Sequence, residues 1–316
     1  MTGAGASGGC GGRALLGWGC GLCATVIWGS FYPVSRLLFG ASGESVEPMS
    51  YTWLRLVLAC LFLSPLLVRR EAREQALRMV RGDKGRLVGL SLLGIVGEGL
   101  LVFWSTKYTT GARSSLMANT SPITTLLLAW LAGRETLTGR KLVGLAMGFA
   151  GMALLFQGQG SDRYAELGAS TLLGDAMAFG SGCCWAAFTV FGERFSREYG
   201  GPLSSLMMFG VSAVLMLPVA LVANGGSLPL SMGWGPWLGA LYLGLFGGGA
   251  AIALWYTALR HVSPGRLGAL GYVSAALATG GSVLLVGERL DWAFLAALGL
   301  VVGGVSLMMQ STKDTK

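Results

Sequence analysis

Apolar residues run in long stretches broken by short segments rich in charge, glycine or proline. Ten stretches stand out, near 14–38, 49–68, 86–106, 112–132, 140–157, 170–192, 202–223, 236–259, 264–286 and 291–310. The fourth and ninth are the least cleanly separated from their neighbours. An α-helix rises about 1.5 Å per residue, so about 20 apolar residues cross a hydrocarbon layer of about 30 Å. The pattern predicts an all-α integral membrane protein with ten transmembrane helices.

Composition strengthens this reading. Of 316 residues, 53% are hydrophobic and only 12% charged, half the roughly 25% of a soluble domain. The 52 glycines show no G-X-Y period, which excludes collagen, and suit close-packed membrane helices. The apolar content excludes a disordered chain. Residues 1–13 are glycine-rich with one arginine and lead into a run long enough to span, so no cleavable leader is expected.

The net charge of +8 matters less than its placement. Arg69, Arg70, Arg73, Arg78, Arg81, Lys84 and Arg86 crowd between two apolar runs, interleaved with Glu71, Glu74 and Asp83. Such a loop reads as a cytoplasmic topology signal with some affinity for anionic lipid, not as a nucleic-acid site. With a cytoplasmic N-terminus, Arg134, Arg140, Lys141, Arg194, Arg197, Arg260, Arg266, Lys313 and Lys316 join that loop and Arg13 inside. Only Lys107, Arg113, Arg163 and Arg289 fall outside, and Arg36 and Arg55 lie within runs. This bias predicts an inner- or plasma-membrane protein with both termini cytoplasmic.

The chain also repeats itself. Residues 105–137 shifted by 153 positions match 258–290 without a gap. Lys107 meets Arg260, Thr110 Ser263, Arg113 Arg266, Ser121 Ser274, Leu131 Leu284, Glu135 Glu288 and Leu137 Leu290. The expected organisation is a tail over 1–13, a five-helix repeat over 14–157, an outer linker over 158–169, a second five-helix repeat over 170–310 and a tail over 311–316. An odd number of crossings per repeat makes the two halves inverted, and inverted repeats can exchange conformations to expose a central site to either side in turn.

Glu98 stands near the middle of the third run, where a carboxylate costs about 3 kcal/mol to insert, and Arg55 stands at similar depth in the second. They serve either to couple protons through Glu98, to hold a substrate between opposite charges, or to fix helix packing as a static pair. Trp28, Trp185 and Tyr272 lie deep enough to line a cavity. Tyr256, Trp104, Trp130 and Trp255 complete the aromatic set, with Trp104 and Trp255 suited to an interfacial belt. Asn119 in the fourth run needs a polar partner, either another helix or a ligand. His261, in a loop, reads as solvated. Pro122 is a candidate kink, and Gly247-Gly248-Gly249 a flexible point. Gly144-x-x-x-Gly148 and Gly299-x-x-x-Gly303 permit close helix packing within the chain or in a homodimer.

Other chemistry finds little support. Cys20 and Cys23 form a C-x-x-C spacing and Cys183 and Cys184 are adjacent, but they lie in apolar runs without nearby histidines and read as small buried thiols. No phosphate-binding loop G-x-x-x-x-G-K-[ST] and no H-E-x-x-H is present. Gly40-Ala41-Ser42-Gly43 fits an intramembrane-protease pattern, yet the only histidine is expected on the opposite side. No metal or cofactor is expected, and an enzyme is not favoured.

Several motifs in order resemble the drug/metabolite transporter superfamily, specifically proteins with two EamA-type repeats. They are Trp28-Gly29-Ser30, Arg55, Asn119-Thr120-Ser121-Pro122, Gly133-Arg134-Glu135-Thr136-Leu137, Gly174-Asp175 with Trp185, and Val286-Gly287-Glu288-Arg289-Leu290. Ala275 replaces a proline common in the second repeat, nothing in the second half corresponds to Arg55, and Glu98 does not belong to the pattern. The resemblance implies secondary transport of small organic solutes, often outward. The expected function is movement of a small polar or amphipathic metabolite by alternating access, with an amino acid or derivative foremost. Glu98, Arg55, Trp28, Asn119, Trp185, Tyr256 and Tyr272 are the candidate binding or coupling residues. A membrane-embedded enzyme and a scaffold or sensor are the other classes.

Overall fold

A computed structural model of the chain describes residues 8–31, 34, 46–109, 111–157, 169–286 and 292–309. Among these, every regular element is a helix. In the first half they are α1 (Gly8–Gly29), α2 (Pro48–Leu63), α3 (Arg70–Gly82), α4 (Lys84–Ser91), α5 (Glu98–Tyr108), α6 (Gly111–Ala118), α7 (Ser121–Leu131) and α8 (Gly139–Gln157). In the second they are α9 (Ala169–Tyr199), α10 (Gly201–Ala223), α11 (Trp234–Leu241), α12 (Ala251–Ala258), α13 (Pro264–Gly268), α14 (Leu270–Val286) and α15 (Trp292–Met309). Pro48–Val68, Lys84–Ser105, Gly201–Ala223 and Trp234–Ala258 are long and apolar enough to cross a membrane, and Ala14–Gly29, Ser121–Leu131 and Leu295–Met308 are shorter apolar helices. Gly40–Gly43 and residues 287–290 of the second G-E-R-L ending lie outside the described residues.

Local chemistry sets the helix ends. Pro48 opens α2, where its missing N–H costs nothing, and the Glu47 side chain accepts from Ser50 N at 2.6 Å. At the far end of α7, Gly133 takes a positive φ of 67°, a conformation glycine adopts without Cβ strain. The turn lets Arg134 N donate to Ala129 O at 2.9 Å and swings Arg134 and Glu135 back toward the protein. The predicted fourth run is not one helix. It breaks after Ala118 and restarts at Ser121, with Pro122 in the first turn of α7. The ninth breaks in the same way between α13 and α14.

Two helices carry π segments, over Leu92–Gly97 between α4 and α5 and over Tyr242–Ala250 between α11 and α12. Adding 153 to 92–97 gives 245–250, inside the second π segment, so the deviation sits at equivalent places in both repeats. The same shift carries α5 onto α12, α7 into α14 and α8 onto α15. Contacts follow it too: α9 packs on α7 as α1 packs on α14, and α10 meets the first π segment as α2 meets the second. The repeat thus extends well beyond the stretch in which residues match.

The last helix of each half packs against the other along a seam of small residues. A Cβ on Gly144 would lie 2.5 Å from Gly304 O, and one on Gly151 2.7 Å from Ala297 O. The glycine face of α8 is therefore filled from within the chain, by α15. Gly148 is covered by the Tyr272 ring, and Gly303 faces Met147.

Candidate functional site

The two halves meet in an aromatic cluster. Trp28 of α1 stands edge-on to Trp185 of α9 at 5.4 Å between ring centroids and 5.2 Å from Trp255 of α12, while Trp185 and Trp255 are 5.9 Å apart. Phe188 extends the cluster from Trp185 to Tyr256, at 5.5 and 5.0 Å. Trp28 and Trp185 remain half-buried. Trp255, expected in an interfacial belt, is instead 1% exposed, with its Nε1 unpartnered. Trp104 does sit on the surface, at 43% exposure.

Glu98 lies near Cys184, the residue before Trp185, and Arg55 lies against Gly244 of the second π segment. Glu98 is the first residue after the first π segment, so the wide turn sets which way its carboxylate faces. Its charge acts on Arg55, on the neighbouring α2, and on Cys184 of α9. Tyr51 lies one helical turn before Arg55 and also feels the guanidinium. Among the described residues no ion pair of 4.0 Å or less joins Arg55 to Glu98, and Arg55 Nε is buried without a hydrogen-bond partner. A buried donor without a partner is costly, so this geometry favours a bound anionic or carbonyl group over a closed static pair.

The Trp28-Gly29-Ser30 motif docks α1 onto the second half. Trp28 Nε1 donates to Gly247 O of the second π segment at 3.0 Å, and the Ser30 hydroxyl lies 2.5 Å from the Tyr242 hydroxyl. Between them, a Cβ on Gly29 would lie 2.6 Å from Leu277 Cβ. Each π segment also has a glycine seated on a ring from the opposite half: Gly94 on Phe188, and Gly247 on Phe31. Any Cβ at either position would overlap that ring.

Tyr256 closes the far end of the cluster, fully buried, with its hydroxyl donating to Phe188 O at 3.2 Å. The other expected residues fall elsewhere. Tyr272 is buried against Gly148 with its hydroxyl unpartnered. No hydrogen bond, ion pair or ring contact joins it to Arg55 or Glu98 among the described residues. Asn119 occupies the break between α6 and α7.

Charged clusters at the helix ends were not anticipated. Asp175 of α9 accepts from Thr109 at 2.8 Å, from Arg113 Nε at 3.2 Å and also from Arg113 Nη2. Glu135 and Lys141 form an ion pair at 3.3 Å with side chains 1% and 0% exposed. Glu135 also accepts Gly265 N at 2.8 Å, tying the turn after α7 to the start of α13. Arg134 bonds Val190 O and pairs with Glu193 at 3.3 Å. Each cluster joins the first half to the second. The signal was present for Gly133-Arg134-Glu135, Arg113 and Asp175, but their pairing depends on which helices neighbour one another. Among the described residues no group of three His, Cys, Asp or Glu side chains is placed to hold a metal ion.

Comparison with known proteins fits this architecture. The sequence matches the EamA-like transporter family twice, over residues 15–157 and 172–310. The chain belongs to that family. An uncharacterized transporter of Archaeoglobus fulgidus is 26% identical, over 84% of this chain and 88% of the relative. A protein of Chlamydia trachomatis named S-adenosylmethionine/S-adenosylhomocysteine transporter is 25% identical, over 89% of this chain and 85% of its own. A solved crystal structure with 21% identity superposes with a TM-score of 0.77, covering 96% of this chain and 97% of the other, which shows the shared fold. This EamA-like chain is thus a multi-pass membrane protein of a transporter family, whose two repeats meet at the tryptophan cluster.

Proposed function

We propose that this protein is a secondary transporter of ten membrane spans in two inverted repeats, with both termini in the cytoplasm of an inner or plasma membrane. It exports an amino acid or amino-acid derivative by alternating access. The observation that carries the reading is the pair of opposite charges, Arg55 and Glu98, on neighbouring helices but not closed into an ion pair, with Arg55 Nε buried and unpartnered. A zwitterion satisfies both: its carboxylate takes the open Arg55 Nε, and its ammonium or another cationic group faces Glu98. The half-buried tryptophans supply a face for the substrate's apolar or cationic part. The name of the Chlamydia relative supports this class, because S-adenosylmethionine carries an α-amino group, a carboxylate and a cationic sulfur.

The paired π segments support the alternating motion. Wide turns of this kind recur at functional sites, and here each is seated on a ring of the other repeat. Protonation of Glu98 is the coupling step, since a carboxylate at that depth can neither stay charged nor unpaired without cost.

The reading is tested by thermal unfolding of the purified protein against amino acids and their derivatives. A ligand at 100 times its dissociation constant adds about 2.7 kcal/mol. The expected result is stabilisation by a zwitterionic ligand that Arg55→Gln and Glu98→Gln each abolish. Equal stabilisation of both variants would remove these residues from the site.

A further inference from the structure

The basic stretch between α2 and α4 forms a helix whose faces divide three ways. In α3, Ala72, Ala76 and Met79 recur at helical spacing and pack on the protein, with Ala76 and Met79 buried. Arg73, Leu77 and Val80 recur in the same way one position further round. They stay outside, with Leu77 53% and Val80 47% exposed. The remaining side carries Arg70, Glu71, Glu74, Arg78 and Arg81, of which Arg70 and Glu74 pair at 2.9 Å. Among the described residues no carboxylate lies within 4.0 Å of Arg73, Arg78, Arg81 or Lys84.

A helix this charged has no reason to leave a leucine and a valine in water. The apolar surface also continues onto the spans at either end: Leu61, Phe62 and Val68 before α3, and Val88, Leu92 and Leu93 after it, are all exposed. The corner that follows is fixed. Asp83 accepts from the Tyr199 hydroxyl at 2.5 Å and pairs with Arg86 at 3.3 Å, which ties the end of α3 to the end of α9.

We infer that α3 lies in the headgroup layer and binds anionic lipid, with Leu77 and Val80 sunk to the acyl boundary and Arg73 and Arg81 holding lipid phosphates. Charged amphipathic helices with an apolar strip take this position, and long basic side chains reach from an apolar strip to the phosphates. Charge complementarity selects the partner: seven basic residues against three acidic ones in 69–86. The inference rests on the chain's membrane placement and not on its substrate.

The full-length protein is placed in nanodiscs of equal phosphatidylglycerol and phosphatidylcholine, with photoreactive p-benzoylphenylalanine at position 77. Lipid adducts are then read by mass spectrometry. Adducts are expected, with phosphatidylglycerol favoured at least about fivefold, the effect of about 1 kcal/mol for each basic group near the surface. Adding Arg73→Gln and Arg81→Gln leaves the adducts but brings the ratio near one. The same reagent at position 61 reports lipid contact in a span, and at position 78 it yields few adducts. Lipid adducts at 61 without any at 77 overturn the inference, as do adducts at 77 without headgroup preference or adducts to a second copy of the chain. None of these outcomes bears on ligand binding by Arg55 and Glu98.

Discussion

Replacing Gly247 with alanine puts a methyl carbon where the Phe31 ring now lies. The new Cβ would come 2.7 Å from Phe31 Cε2 and closer still to Cζ. Carbon atoms attract best at about 3.5–4.0 Å, so the ring must retreat by more than about 1 Å or the π segment must shift. Forcing a methyl group into a filled site costs about 1–3 kcal/mol. If the segment moves, the Trp28 bond to Gly247 O goes with it, for about 1 kcal/mol more. Thermal unfolding of the purified protein should fall by several degrees, at roughly 2–4 °C per kcal/mol. Phe31→Ala empties the same space and carries a cost of its own. The double variant should therefore be more stable than the sum of the two single losses implies, with a coupling of about 1 kcal/mol or more. Strict additivity, or an alanine at 247 that leaves the melting temperature unchanged, would refute the cross-repeat seating of the π segment.

Asp175→Asn removes the carboxylate shared by Thr109 and Arg113, and unfolding experiments should show a loss of about 3 kcal/mol. Arg113→Met with Asp175→Leu should cost less than the two single changes summed. Glu135→Gln strips the counter-charge from fully buried Lys141 and should cost about 3–5 kcal/mol, with Glu135→Leu/Lys141→Met nearer the wild type; a silent Glu135→Gln would contradict the buried pair. At the corner after α3, the hydrogen bond to Asp83 pushes the Tyr199 phenol up to about 12 from its ordinary 10. The folded protein therefore holds that proton more tightly. Its stabilisation is complete below pH 10 and is lost as pH rises through about 12. The stability difference between wild type and Tyr199→Phe, followed by melting from pH 9 to 12, should shrink across that window, and a flat difference would remove the Asp83 contact.

Much of the helical layout was legible because membrane helices announce themselves by apolar length. The repeat was legible because Lys107 to Leu137 and Arg260 to Leu290 keep their spacing. Glu98 and Arg55 stood out because charge is costly at that depth. The π segments were hidden, since neither 92–97 nor 242–250 carries a residue that demands a wide turn. Trp255 is buried within the protein, a packing its place near the end of a run does not reveal. The breaks before Ser121 and Leu270 were equally silent, although Pro122 marked the neighbourhood of the first. The contacts Arg113–Asp175 and Glu135–Gly265 depend on which helices lie side by side. A sequence with two similar halves does not say which helix of one half meets which helix of the other. The glycine spacing suits packing within or between chains alike, and in α8 Gly144 and Gly151 meet α15 of the same chain.

Counterflow in proteoliposomes asks directly whether Glu98 and Arg55 bind and move a zwitterionic solute: vesicles loaded with unlabelled amino acid or derivative are diluted into the labelled form, and accumulation is followed for wild type, Glu98→Gln and Arg55→Gln. Transient accumulation by the wild type and none by either variant is expected, with both variants still folded by thermal unfolding. Undiminished counterflow by folded Glu98→Gln would overturn the proposed site.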